Sequence, residues 1–231
     1  MVVFQITLDI FLLENVRSEE ATGVICKYLD RLLCENEEFI SFHEERRYKN
    51  YCFNSFFPIS PDKVYHKDRR YKLQLRTVDM NLAEHFSNLA TEIPDRVIKV
   101  VGTEVKLLPK KNTDKLYCVT PCIMKTENGY WQGNMTTQEF ALAIQTNLVK
   151  KYKHFTGQDI DENFELIREL HFVNRKPISC KYKNVNLLGD KVDIMISEDA
   201  MSQELAYFAL GTGILEGNSR GFGFVNSKWR K

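Results

Sequence analysis

The sequence lacks the features of a membrane or secreted protein. No apolar run approaches the roughly 18 residues that a membrane span needs, and the first fifteen residues have neither the basic start nor the cleavage site of a secretory signal. The six cysteines of the 231-residue chain are irregularly spaced, so no disulfide framework is predicted. Cys118 and Cys122 have no second pair or suitably spaced histidine to complete a zinc site. We therefore expect a cytoplasmic protein without membrane partner, metal or cofactor.

The sequence also lacks a charge excess. It has 32 Lys and Arg against 31 Asp and Glu, a formal net charge of +1, so attraction to nucleic acid has to come from local clusters. Arg46 and Arg47 form one such cluster, and Lys67, Arg69 and Arg70 form another. Each cluster is either an RNA-binding surface or a solvated face, and the pattern leaves both interpretations open.

The first half of the chain alternates short strands with two helices. Residues 2–9 alternate apolar and polar side chains, and the following apolar residues recur at helical spacing after a predicted N-cap at Ser18. Strands are predicted at 51–57, 71–76 and 97–108, with a helix capped by Asp79 before the last of them. The order βαββαβ is the ferredoxin-like plan.

The same order repeats after the polar, turn-rich residues 109–114. Thr136 and Glu139 form a capping box for a helix that ends at Gly157, and Ser197 is the predicted cap of a later helix. Strand candidates are 116–124, 165–173, 181–186, 192–196 and a short last strand. The predicted fold class is therefore α+β, with two tandem ferredoxin-like (RRM-like) domains, 1–108 and 109–231.

Residues 211–223 contain five of the eleven glycines in the chain. Glycine permits positive φ and lets backbone N–H groups approach a phosphate closely, but a tight helix-to-strand connection needs glycine as well. No helix follows the segment, so it is not a dinucleotide-binding fingerprint. Residues 220–225 match most of an RRM stacking motif, but too little chain follows them to complete an RRM. Phosphate contact and tight packing are equally favoured.

A glycine-rich loop between the last helix and the last strand of a second ferredoxin-like domain resembles the signature of the RAMP superfamily. Specifically, it resembles the signature of the repeat-cleaving endoribonuclease of that superfamily, the sixth of the CRISPR-associated (Cas) proteins. Residues 147–152 resemble the end of a helix in that family, and residues 49–54 resemble its second strand. The similarity extends over nearly the whole chain.

This resemblance implies cleavage of CRISPR repeat RNA in a precursor transcript to give mature guide RNAs. It leaves open whether the protein forms a homodimer and whether it joins other Cas effector-complex subunits. In the family, a tyrosine of the first helix acts with a histidine and a lysine that precede the second strand, and Tyr28, His43 and Lys49 occupy those places. The RNA contacts expected from loop position and basic charge are Gly211, Gly213, Gly217, Asn218, Ser219, Arg220, Gly221, Gly223, Arg46, Arg47, Lys67, Arg69 and Arg70.

These three residue types suit RNA cleavage by the 2′-hydroxyl of the RNA itself, which needs a base, an acid and stabilisation of phosphate charge. His43, with an unperturbed pKa of about 6.5, is the expected proton-transfer group. Lys49 would stabilise the phosphate, and Tyr28 would orient the 2′-hydroxyl or share proton transfer. Singly, Tyr28 is equally typical of a core residue, His43 of a solvated histidine and Lys49 of a surface base.

Two other functions fit the same sequence. The chain could be a non-catalytic RAMP subunit that binds guide RNA within an effector complex. It could also be a general RNA-binding module whose glycine-rich segment contacts single strands without preference for a repeat.

Overall fold

A computed structural model of the protein describes residues 1–45, 47–182 and 185–230, without the side chain of His43. The strands are β1 (Phe4–Leu12), β2 (Val16–Arg17), β3 (Tyr51–Phe53), β4 (Val64–Tyr65), β5 (Arg70–Thr77), β6 (Ile98–Leu107), β7 (Thr113–Cys118), β8 (Lys125–Thr126), β9 (Gly129–Tyr130), β10 (Ile167–Phe172), β11 (Ile178–Tyr182), β12 (Val185–Gly189), β13 (Val192–Ile196) and β14 (Val225–Trp229). The helices are α1 (Ser18–Cys34), α2 (Glu37–Glu44), α3 (Met80–Leu89), α4 (Thr137–Thr156) and α5 (Ala200–Thr212).

Two antiparallel four-stranded sheets carry the fold. The first has the order β3-β5-β1-β6, and α1 and α3 pack their apolar residues on it. The second has the order β10-β13-β7-β14, with α4 and α5 contributing to its core. Both orders are that of a ferredoxin-like domain, so the predicted fold class is confirmed. Residues 108–112 link the sheets, and the proposed domain division at this link stays a prediction.

Local capping chemistry explains several helix ends. The side chain of Asp79 accepts hydrogen bonds from the N–H groups of Asn81 and Leu82, and Thr136 forms a reciprocal capping box with Glu139. Gly157 ends α4 with a φ of 68°, in the left-handed region that favours glycine. These three predictions are confirmed.

Two predicted caps are wrong. Ser18 is already the first residue of α1, and Arg17 precedes it without a side-chain cap. The cap of α5 is Asp199, whose carboxylate accepts from the N–H of Ser202, whereas Ser197 lies beyond the end of β13. The strand predicted at 181–186 is also wrong as a single element, because Lys181 and Tyr182 of β11 pair antiparallel with Asn186 and Val185 of β12.

Arg76 joins the two domains. Its side chain is 6% exposed and donates to the carbonyl of Val225 and to Asn226 Oδ1, at 2.7 Å each. The guanidinium also lies 4.4 Å from the ring centroid of Phe224, and burial lowers its pKa to about 10. Across the same boundary the N–H of Val3 donates to the hydroxyl of Tyr207. Strand β5 is therefore covered by the second domain at its C-terminal end.

In the part of the chain that the structure describes, no helix combines the length and the apolar character needed to cross a membrane.

Candidate active site

Lys49 binds backbone carbonyls at the C-terminal end of helix α2. Its ammonium donates to the carbonyls of Phe42 and Glu45, the latter at 2.8 Å, and lies 4.8 Å from the centroid of the Phe42 ring. These two carbonyls belong to the last turn of α2 and the residue after it, where a cation is favoured by the helix dipole. His43 lies in that same turn. The fold therefore brings Lys49 to the backbone turn that carries His43.

The environment of Lys49 weakens its proton affinity. Partial burial is the main cause and the neighbouring charge of Arg47 the second, and together they lower the pKa of Lys49. A desolvated ammonium interacts more strongly with a phosphate than one in bulk water. The arrangement suits a group that stabilises negative charge.

The Tyr28 side chain lies in the core of the first domain. It is 1% exposed, and its hydroxyl donates to the carbonyl of Ala90 at 2.6 Å. Burial raises its pKa. Because the side chain is buried, a ligand could reach this hydroxyl only if the packing around it opened. The packing is that of a core tyrosine, and the catalytic role stays a prediction.

Two predicted site groups lie outside the described residues, the side chain of His43 and all of Arg46. Arg47 is described and exposed, and its guanidinium lies 3.0 Å from the Glu45 carboxylate and 4.7 Å from the Phe42 ring centroid. Arg47 therefore has acidic and aromatic neighbours at the end of α2 while remaining accessible to a phosphate.

The glycine-rich segment is mostly buried. Gly211 belongs to α5, and a Cβ at that position would lie 2.8 Å from Val78 of the first domain. Gly213, Gly221 and Gly223 have φ values of 71°, 84° and 66° and are close-packed against neighbouring atoms. Gly217 is exposed. A Cβ at Gly217, where φ is 69°, would also lie 2.9 Å from the Phe222 ring. Tight packing therefore applies to all five glycines, and their predicted RNA contacts remain untested.

Asn218 and Lys151 hold this segment in place. The Asn218 amide donates to the carbonyls of Ile214 and Phe222, at 2.9 Å each, and its oxygen accepts from the ammonium of Lys151 at 2.5 Å. Lys151, on α4 and 4% exposed, also donates to the carbonyls of Gly213 and Leu215. Asn218 thus works inside the loop, although sequence reasoning predicted it as an RNA contact.

Burial lowers the pKa of Lys151 to about 7, so this group should make folding stability depend on pH. In the unfolded chain its pKa is about 10.4, so the unfolded state binds more protons between these two values and stability rises with pH across that window. The free energy of unfolding is measured for the wild type and for Lys151→Met. We expect the wild-type value minus the variant value to be larger at about pH 8.5 than at about pH 6.5. Urea denaturation at both pH values measures it.

The matched control for this experiment is Lys150→Met. Lys150 is exposed on the same helix. The wild-type free energy of unfolding minus that of Lys150→Met should therefore be the same at both pH values. A wild-type minus Lys151→Met difference that stays constant or falls with pH would contradict the assignment.

Arg220 ties the loop to helix α1. Its Nη1 donates to both carboxylate oxygens of Asp30, at 2.8 and 2.7 Å. Burial acts to lower the pKa of Arg220, but the hydrogen bond and charge of Asp30 outweigh it, so the pKa is raised. Arg220 remains partly exposed beside Ser219. Among the predicted loop contacts, Gly217, Ser219 and Arg220 reach the surface.

The described residues of the two basic clusters are not brought together. Lys67, Arg69 and Arg70 are exposed at the start of β5, whereas Thr77, at its other end, donates its hydroxyl to the carbonyl of Asn50 next to Lys49. The seven steps from Arg70 to Thr77 span roughly 23 Å. An RNA that touched both clusters would have to run along the first sheet.

A cavity of about 180 Å³ lies between the residues before β3 and the glycine-rich segment. The first domain contributes residues 47–51, and the second contributes Asn147, Lys151 and the surface of the loop around Gly217. Residues 147–152 resemble a family helix end, but that resemblance gives neither Asn147 nor Lys151 a role. The available signal was Lys151 on the apolar stripe of α4, three residues after Leu148.

Comparisons with known proteins agree with one another. A family model described as "CRISPR associated protein Cas6, C-terminal" matches residues 103–227. A CRISPR-associated endoribonuclease Cas6 of Methanocaldococcus jannaschii is 24% identical over 212 residues, 84% of this chain and 87% of that protein.

Solved structures show the same fold. A CRISPR-associated protein Cas6 has a TM-score of 0.70 at 19% identity, covering 98% of this chain and 99% of its own. A RAMP protein described as binding different RNA substrates has a TM-score of 0.68 at 15% identity, covering 97% and 99%. The family model spans more than half of the sequence, and this chain belongs to the CRISPR-associated protein Cas6 family.

Proposed function

We propose that the protein is an endoribonuclease that cuts CRISPR repeat RNA in precursor transcripts to give mature guide RNAs. Its membership in the Cas6 family supports this function, as does the endoribonuclease name of the M. jannaschii relative. The observation that carries the proposal is the position of Lys49, which binds the last turn of α2 and lines a cavity shared with the glycine-rich segment of the second domain.

Cleavage would use a hydroxyl of the RNA as the nucleophile. A base removes the proton of the 2′-hydroxyl as its oxygen attacks the adjacent phosphorus, and an acid protonates the 5′-oxygen as its bond to phosphorus breaks. His43 serves as one of these two groups. The products are a 2′,3′-cyclic phosphate and a 5′-hydroxyl. Lys49, with its lowered pKa, stabilises the charge that builds on the phosphate oxygens.

RNA would approach from the surface that joins the two domains. Arg47 is exposed on one side of the cavity, and the exposed Gly217 with the partly exposed Ser219 lies on the other. Phosphate contacts with such groups supply affinity without reading sequence. Stem shape or unpaired bases supply preference for the repeat.

Incubation of the protein with repeat RNA in excess chelator tests this function. We expect cleavage at one position, 3′ ends that carry a cyclic phosphate, and no cleavage of a scrambled RNA of equal length. If the RNA stays intact in chelator and is cut after Mg²⁺ is added, the reaction is metal-assisted hydrolysis and the proposed chemistry is wrong. RNA that is bound but intact under both conditions would overturn the nuclease assignment.

The second candidate function is guide-RNA binding without cleavage. The observation that favours it is the Tyr28 hydroxyl, which is bound to Ala90 in the core. A binding subunit would retain its affinity for repeat RNA and give no product in either condition.

A further inference from the structure

Strand β6 leaves one of its two sides unpaired. It lies at the edge of the first sheet, and in the described part of the chain β1 is the only strand that pairs with it. Residues 103–107 are all exposed. The opposite edge of the sheet is covered, because Gly221 of the glycine-rich segment packs against Phe53 of β3. A long exposed edge presents N–H and C=O groups that a strand of another chain can pair with.

The backbone groups that point outward from this edge belong to alternate residues. The N–H of Leu108 donates to the carbonyl of Val3 at 2.9 Å, so position 108 is hydrogen-bonded to the first strand. Hydrogen-bonded and non-hydrogen-bonded pairs alternate along an antiparallel ladder. Positions 104 and 106 therefore also face β1, whereas the N–H and C=O groups of Thr103, Val105 and Leu107 face away from it.

The side chains of this stretch are apolar on one face and charged on the other. Val105 lies opposite Ile6 of the core, and cross-strand neighbours share a face of the sheet. The packed helices do not cover the edge, since Val105 is 45% exposed and Leu107 is 62% exposed. On the other face the ammonium of Lys106 lies 2.8 Å from the carboxylate of Glu104, and both side chains are more than half exposed.

We propose that two copies of this chain associate through β6, with a two-fold axis at Val105. The two first sheets then join into one antiparallel sheet. Val105 pairs with its own copy, Thr103 pairs with Leu107 of the second copy, and Glu104 lies opposite Lys106 of the second copy. The outward backbone groups form about six hydrogen bonds in this arrangement. The inference goes beyond the proposed function and does not depend on RNA cleavage.

The order of charges selects this register. An axis at Glu104 or at Lys106 would place two like charges directly opposite each other, which is destabilising, whereas the axis at Val105 gives two opposite-charge pairs. An axis at Leu107 would place Pro109 opposite Val105, and proline has no N–H for the ladder. An axis nearer the start of the strand would bring the irregularity at residues 100–102 into the pairing.

The edge is therefore complementary to itself, and a second copy fits it better than an unrelated strand. Both partners of a two-fold interface present the same surface, so a strand that carries acid and base on either side of the axis satisfies both charges at once. The apolar face gains in the same step, because Val105 and Leu107 of the two copies cover one another's exposed surface.

The test is sedimentation velocity of the full chain without RNA, up to about 100 μM protein. The wild type should form dimers. Glu104→Lys and Lys106→Glu each place like charges at both symmetric pairs and should each weaken the dimer about tenfold or more. An equimolar mixture of these two variants should associate again, because each supplies the charge that the other lacks. The control is Glu127→Lys, exposed in the turn between β8 and β9, which should dimerise like the wild type.

A wild type that stays monomeric up to about 100 μM would overturn the inference and leave the edge to a different partner. A dimer that neither charge reversal weakens, or a mixture of the two variants that stays monomeric, would also overturn it, because the contact would then lie elsewhere. Association in the mixture would support the pairing of Glu104 with Lys106 and would show that both variants fold. Cleavage of repeat RNA is measured in parallel, and its presence or absence bears only on the proposed function.

Discussion

Replacing His43 by alanine is expected to slow cleavage of repeat RNA by about 10²–10⁴-fold and to leave the dissociation constant within about twofold. The reason is that general acid–base catalysis acts on the proton in the transition state, whereas binding depends on phosphate and base contacts made elsewhere. Single-turnover rates with enzyme in excess measure the chemical step, and equilibrium titration of uncut RNA measures the affinity.

His171→Ala is the matched control for this substitution. His171 is an exposed residue of β10 whose ring nitrogen lies 3.2 Å from the carboxylate of Glu169, and the proposed chemistry does not use it. Its loss should leave the rate unchanged. If His43→Ala cleaves at the wild-type rate, another group carries out the proton transfer. If the variant instead loses much of its affinity for RNA, His43 is an RNA contact.

Three of the five predicted helix ends are confirmed, because capping there depends on neighbours three or four residues away. Asp79, the Thr136–Glu139 pair and Gly157 all satisfy backbone groups of their own helix, so a local pattern is sufficient. Helix α2 was not predicted, although it carries His43 and its end contacts Lys49. An eight-residue helix gives too short a periodic pattern to distinguish it from a loop.

The sequence pattern of β5 could not predict which of its side chains are covered by the second domain. Lys72 and Arg76 point to the same face of β5, because residues two and four apart on a strand share a face. Lys72 is exposed, whereas Arg76 is buried under Val225 and Phe224 of the second domain. Both residues are basic in the sequence, and only the domain packing decides which of them stays at the surface.

The surroundings of Tyr28 could not be predicted from the sequence either. A tyrosine on the apolar stripe of a helix can fill the core or place its hydroxyl at a site, and the helical spacing is the same in both cases. The structure puts its hydroxyl on Ala90. Conversely, Lys151 breaks the apolar stripe of α4, and its three hydrogen bonds show what a buried lysine does there.

Alanine at Gly223 is expected to cost more than about 3 kcal/mol of unfolding free energy, whereas alanine at Gly157 should cost only about 1 kcal/mol. The two glycines have nearly equal φ values, 66° and 68°, so both lie in the left-handed region where a Cβ is disfavoured. They differ in their surroundings. A Cβ at Gly157 meets no atom within 4 Å, but a Cβ at Gly223 collides with the carbonyl oxygen of Ile214.

This pair of variants separates the two interpretations of the glycine-rich segment. If glycine is needed for packing, Gly223→Ala lowers the denaturation midpoint in urea far more than Gly157→Ala, in the absence of any RNA. If glycine is needed only for approach to a phosphate, the two variants have similar stability, and Gly223→Ala loses affinity for repeat RNA. The collision with Ile214 and the burial of Gly223 favour the first outcome. RNA contact from this segment would then come from Gly217, Ser219 and Arg220, which reach the surface because the buried glycines hold the loop in one conformation.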